Sequence, residues 1–174
     1  VYLRNISEKI CIIFVLSVLI YLDQAAKLLA TEHLKGQAHY SLIPHVLEFA
    51  YLENSGAAFG IFFGKQTFLI ILTGCIMLLL IYKFFHIPRG KRYFLLKTSF
   101  ILIISGGIGN LIDRIYHGYV VDFIYFVLID FPIFNIADCY VCIGMALLSI
   151  LCIFFYREEE IDFLFTLRPA LGKR

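Results

Sequence analysis

Four apolar runs constrain this chain more than anything else in it. They lie near residues 10–30, 66–86, 94–114 and 136–156, and about 20 mostly apolar residues suffice to cross a bilayer. Only 16% of the residues are charged and 61% are hydrophobic, with a mean hydropathy of +0.87. An ordinary soluble domain is about half apolar and about a quarter charged. The expected fold class is membrane all-α: four transmembrane helices in one integral domain over 1–174, with no separate soluble domain. The formal charge of +2 and the lack of a basic tract interleaved with aromatics argue against nucleic acid as a partner. Cys11, Cys75, Cys139, Cys142 and Cys152 lie in or beside apolar runs and read as buried free thiols. Cys139 and Cys142 have CxxC spacing, but no second pair or His accompanies them, so no metal or cofactor is expected. The first run carries Asp23 and Lys27 and is followed by no small-residue cleavage site, unlike a cleavable signal. The absence of an initiator Met points to a processed or trimmed start.

Orientation follows from Lys and Arg in short loops. The connection between the second and third runs holds Lys83, Arg89, Lys91, Arg92 and Lys97 and no acid, whereas residues 116–135 hold no Lys or Arg. Both termini are therefore expected to be cytoplasmic, with 31–65 and 115–135 outside. The second run is expected to be uncharged scaffold, with His86 near headgroups. Val46–Leu52 is rich in strand formers and bounded by Pro44 and Asn54, which predicts a short strand or hairpin on the outer face. The polar and small residues from Glu53 to Gly60 read either as a turn or as a lining for an extended peptide or a lipid headgroup.

Polar residues gather around the third and fourth runs. Asn110, Asp113, Arg114, Asp122, Asn135 and Asp138 stand among apolar residues between 105 and 138. A charge or amide at membrane depth is costly and usually faces the protein interior. Asp23 and Lys27, four apart on one helix face, read as a local ion pair near the interface or as support for a site. Asp113 and Arg114 read as an end-of-helix pair, and Arg114 could instead hold a carboxylate through two parallel hydrogen bonds. Tyr119–Ile129 is too short to span and predicts an interfacial strand or half-helix that lays Asp122 against the bundle. Asn135 with Asp138 three residues later reads as a capping box, so Asp138 by itself could be a helix cap. Asp122 has no such local explanation.

The predicted topology brings Asn54, Asn110, Arg114, Asp122, Asn135 and Asp138 to one edge of the membrane. Ser55 and Ser105 lack an evident base, and no HExxH pattern suggests zinc. Two acids without a metal suggest aspartic-protease chemistry, in which two close carboxyls share one proton. The rival reading is a small proton- or cation-coupled transporter, which predicts acids spread across the membrane and repeated helices. Here the polar groups crowd one side, and the sequence shows no internal repeat.

These residues also carry a resemblance. Asp23 and Lys27, Asn54-Ser-Gly-Ala-Ala-Phe59, Gly109-Asn-Leu-Ile-Asp-Arg114, Val120-Val-Asp-Phe123 and Phe134-Asn-Ile-Ala-Asp138 resemble the lipoprotein signal peptidases, the type II signal peptidases of bacteria. The resemblance implies a four-span aspartyl protease of the bacterial cytoplasmic membrane with its site at the extracytoplasmic face. It implies cleavage of a prolipoprotein before the diacylglyceryl-modified Cys of the lipobox, with membrane lipids as neighbours and inhibition by globomycin. By motif match, Asp122 and Asp138 would be the catalytic pair. Asn54, Gly56, Asn110, Arg114 and Asn135 would shape the pocket, and Asp113, Asp23 and Lys27 would support it. No cofactor is implied, and a monomer is expected. Cys139 stands where the family usually has Ser, Glu53 before Asn54 is less usual, Phe59 is an allowed aromatic, and the tail beyond Arg157 is longer than many.

Overall fold

A computed structural model describes residues 2–56 and 61–166. The helices are α1 (Tyr2–Leu34), α2 (Gln66–His86), α3 (Phe94–His117), α4 (Ile136–Ile150) and α5 (Glu158–Phe165). The strands are β1 (Tyr40–Ile43), β2 (Leu47–Asn54) and β3 (Val120–Phe126). Four of the helices are long and apolar enough to cross a membrane. The chain is a multi-pass membrane protein that is mostly helical and carries a small antiparallel sheet. The first three expected runs fall within α1, α2 and α3, with α1 beginning eight residues before the expected start at 10, whereas the fourth, expected to reach 156, leaves α-helix after Ile150.

Half of the apolar window of α3 is buried, against 11–17% for the other three spans, so α3 is the helix the others surround. Its glycines explain how closely α4 approaches. A Cβ at Gly106 would collide with the carbonyl of Ala137, and one at Gly109 would lie 2.5 Å from the Asp23 carboxylate. Between helices in lipid, where apolar burial gives no driving force, such close backbone approach supplies the packing. Gly118 then ends α3 in the left-handed conformation (φ 76°), its N–H bonded to the Arg114 carbonyl, and the chain turns directly into β3.

The two outer segments expected from sequence form one sheet. β1 pairs with β2 as a hairpin, and β3 joins the other edge of β2, antiparallel, with Leu52 opposite Asp122 and Asn54 opposite Val120. Residues 119–129 are thus a strand followed by a 3-10 turn, not a half-helix. Strand periodicity then separates the faces of β3. Val121 and Phe123 pack with Ala26, Ala30 and Leu34 of α1, which leaves Asp122 on the opposite face.

The other end of the bundle is closed by a second core. Ile87, Leu96, Phe100, Ile104, Leu151, Tyr156, Ile161 and Phe163 are buried together there. A π-turn over Leu151–Phe155 ends α4, and α5 folds back against α2. One expectation about charge changes at this end. The second run is not uncharged scaffold: Lys83 lies within α2 and is buried. The basic connection carries no acid of its own, and Arg92 finds one in α5, pairing with Glu160 at 2.6 Å. His86 is half-buried, and its Nδ1 lies 2.8 Å from the Tyr82 carbonyl. The five thiols are free as expected but are not buried: Cys11, Cys75 and Cys142 are exposed on the spans. The apolar positions of the spans face lipid as well as protein, so a thiol there need not enter the core. Arg168, Lys173 and Arg174 of the tail lie outside the described residues.

Candidate active site

Two layers of polar groups meet where α1, α3, β3 and the start of α4 converge. The deeper layer is built on Lys27, only 3% exposed. Its ammonium has three N–H groups and three acceptors: Asp23 at 2.9 Å, Asp113 at 3.0 Å and the Asn110 side-chain oxygen at 2.9 Å. Gln24 closes the layer, donating to Asp23, to Asp113 and to the Gly109 carbonyl. A buried charge is tolerable when it is paired and its remaining valences are satisfied, and this one is.

The two carboxylates of this layer also reach the backbone beside the acids of the next. Asp23 accepts the Ala137 N–H at 2.9 Å, one residue before Asp138. Asp113 accepts the Val121 N–H at 3.1 Å, one residue before Asp122. The local ion pair expected at an interface is therefore a fully buried cluster that clamps two separate segments. The expected Asp113–Arg114 pair is absent among the described residues, because helix geometry turns Asp113 toward Lys27 and Arg114 away from it. Nor does Arg114 grip a carboxylate with two parallel bonds. It donates to the Gly56 carbonyl at 3.1 Å and to the Asn110 carbonyl at 3.3 Å.

The upper layer holds Asp122 and Asp138, joined by amides. Asn135 donates one side-chain N–H to Asp122 at 2.6 Å and another to the Asn110 side-chain oxygen at 3.1 Å. Asn110 in turn donates to Asp138 at 2.8 Å. Asn54 reaches across from β2 to the other oxygen of Asp122 at 2.9 Å, and its own oxygen accepts the Gly56 N–H. The capping box is present too: Asp138 accepts the Asn135 N–H, and Asn135 accepts the Asp138 N–H. Capping and membership of the site are not alternatives, since Asp138 uses one oxygen for each.

Asp122 is 2% exposed, and Asp138 is half-buried. Burial pushes the Asp122 carboxyl up to about 6, with the negative charge of Asp138 adding to the rise and the Asn54 and Asn135 hydrogen bonds opposing it. The Arg114 Nε is buried and has no partner among the described residues.

All the residues expected at the site converge here: Asn54, Gly56, Asn110, Asp113, Arg114, Asp122, Asn135, Asp138, Asp23 and Lys27. Gln24 was missed. Its signal was available, because an uncharged amide inside an apolar span is as much an anomaly as a charge. Ala57, Ala58, Phe59 and Gly60 of the expected lining lie outside the described residues.

A family model described as signal peptidase (SPase) II matches residues 15–155. The chain belongs to the signal peptidase II family. It is 49% identical over 146 residues to a lipoprotein signal peptidase of Clostridium tetani, covering 82% of this chain and 90% of the relative. It is 39% identical over 153 residues to one of Streptococcus thermophilus, covering 88% and 97%. A solved bacterial membrane enzyme structure superposes with a TM-score of 0.72 at 34% identity, covering 84% of this chain and 94% of the other. Signal peptidase II membership makes this a membrane peptidase of lipoprotein processing. The four spans and the small sheet are its scaffold, and the matched region ends before α5.

Proposed function

We propose that this signal peptidase is an aspartyl endopeptidase that cleaves a prolipoprotein before its diacylglyceryl-modified Cys, with Asp122 and Asp138 as the catalytic pair. The observation that carries the reading is the amide chain from Asp122 through Asn135 and Asn110 to Asp138, which holds two acids from separate segments at one place. The raised Asp122 carboxyl, at about 6, makes it the natural holder of the shared proton. Asp138 lies in the first turn of α4, where the helix dipole favours negative charge, and acts as the base. Asp138 takes a proton from water as the water oxygen attacks the scissile carbonyl carbon. Asp122 gives its proton to the carbonyl oxygen. As the C–N bond breaks, Asp138 passes the proton it took from water to the nitrogen of the lipidated Cys, Asp122 takes back its proton as the carbonyl re-forms, and the signal peptide leaves with a new carboxyl group.

Arg114 and Asn54 hold Gly56, at the start of the 54–60 segment, against the acids. The basic connection near Arg89 and Lys91 supports placing both termini in the cytoplasm of a bacterium and the site at the outer face. The substrate's acyl chains then reach the site from the outer leaflet. Globomycin-like cyclic peptides would occupy the same cleft. One chain supplies every residue assigned to the chemistry, so a monomer suffices for the proposed reaction.

The test is cleavage of a lipidated precursor by Asp122→Asn and Asp138→Asn, followed as a size shift on a gel. Each substitution is expected to slow cleavage by about 10⁴-fold, the upper range for general acid–base groups. Normal cleavage by either variant, correctly inserted, would refute the pair.

A further inference from the structure

Lys83 is the buried charge that the site does not use. It is 7% exposed, and its ammonium donates to the Phe163 carbonyl at 2.8 Å and the Thr166 carbonyl at 2.5 Å, at the C-terminal end of α5. Those carbonyl dipoles offset part of its charge. No carboxylate lies within ion-pair distance of it among the described residues. Glu160 of α5 is committed to Arg92, whose guanidinium holds its carboxyl down at about 2. A lysine has three N–H groups and only two meet an oxygen here; the third side has the Tyr82 ring 6.0 Å from the ammonium but no anion, and a buried cation without a counter-anion is costly.

Beside Lys83 runs a groove of about 400 Å³ between α2, α3, α4 and α5. Apart from Lys83 and Ser149 its walls are apolar, with Leu79, Phe100, Leu148, Cys152 and Leu164 among them. Lys83 is three residues from the end of α2, which at 1.5 Å per residue puts it about 4.5 Å inside the helix end. α2 has 21 residues, about the thickness of the hydrocarbon layer, so a side chain this close to its end is near the headgroup level. Arg89 and Lys91, in the connection that follows, are exposed and have no ion pair among the described residues.

We infer that this groove holds one acyl chain of an anionic phospholipid, with the headgroup phosphate on the free N–H of Lys83. The phosphate supplies the missing negative charge, and Arg89 and Lys91 strengthen the field that draws it in. The chain fills apolar walls that an inorganic anion would leave uncovered. α5 forms one wall of the groove and lies beyond the part of the chain matched by the family.

The test is thermal unfolding of the full chain in phosphatidylcholine vesicles with and without phosphatidylglycerol, a readout separate from peptidase activity. Phosphatidylglycerol is expected to raise the wild-type Tm by about 3 °C. Lys83→Met is expected to abolish the rise. Ser149→Trp, from an exposed position on the groove wall, is expected to abolish it while the Lys83–α5 contact stays in place. Lys91→Gln should keep most of it. The proposal is overturned if the wild type shows no rise, or if the rise survives Ser149→Trp. It is also overturned if glycerol phosphate added to phosphatidylcholine vesicles reproduces the effect without a chain in the groove.

Discussion

The bundle buries one lysine near each end, and the two are treated differently. Lys27 meets two carboxylates and an amide, and its three donors are matched by three acceptors. Lys83 meets two backbone carbonyls and no carboxylate among the described residues. The partners of Lys27 come from α1 and α3, and through Asp23 and Asp113 it fixes the backbone at Ala137 and Val121. The partners of Lys83 are one carbonyl in the last turn of α5 and one on the residue that follows it. The first lysine orders four segments around Asp122 and Asp138, while the second fastens one element to the bundle. Direct ion pairing at the first fixes distances; carbonyl pairing at the second leaves room for an anion.

The contrast can be broken most directly at Lys27. Lys27→Met leaves Asp23 and Asp113 buried and unpaired, and is expected to cost about 3–5 kcal/mol. Thermal unfolding in detergent checks this, and a Tm equal to wild type would show that the cluster is not what holds the segments. Gly109→Ala comes next, because its Cβ would lie 2.5 Å from the Asp23 carboxylate, against a cluster that cannot yield. Overpacking of this kind costs about 1–3 kcal/mol, and precursor cleavage should fall with stability. The same substitution at Gly74, which faces open space, serves as the control.

Lys83→Met should change stability by only about 1 kcal/mol in phosphatidylcholine, because losing the two hydrogen bonds is offset by losing a buried charge. Precursor cleavage should be unaffected; a loss as large as that of Lys27→Met would erase the distinction between the ends. The smallest effect sharpens the site itself. The proposed mechanism needs one proton on the pair, so it predicts that cleavage falls as pH rises through the Asp122 value of about 6. Asn54→Ala removes a hydrogen bond that favours the ionised form. It should therefore move the alkaline limb of kcat/KM to higher pH, and a limb that stays in place or moves down would argue that Asp122 does not hold the proton.

Much of this was legible in the residues. Four runs of about 20 apolar residues leave few choices for a backbone that must satisfy its hydrogen bonds in lipid, so the spans could be placed from composition alone. The anomalous Asp122 could be singled out because nothing local explains it. Asn135 and Asp138 could be read as a cap because capping is a three-residue affair. What could not be read was the choice of partner. Asp113 sits beside Arg114 in the sequence yet binds Lys27, 86 positions away, and Lys83 looked like part of a loop until α5 folded over it. Local periodicity assigns each side chain a face. Which faces meet is set by close helix approach at Gly106 and Gly109 and by the addition of β3 to the hairpin. The runs therefore determined the spans and their polar exceptions. Only the packed bundle decided the pairing, because a buried ion takes the nearest counter-charge in space, and distance along the chain does not enter that energy.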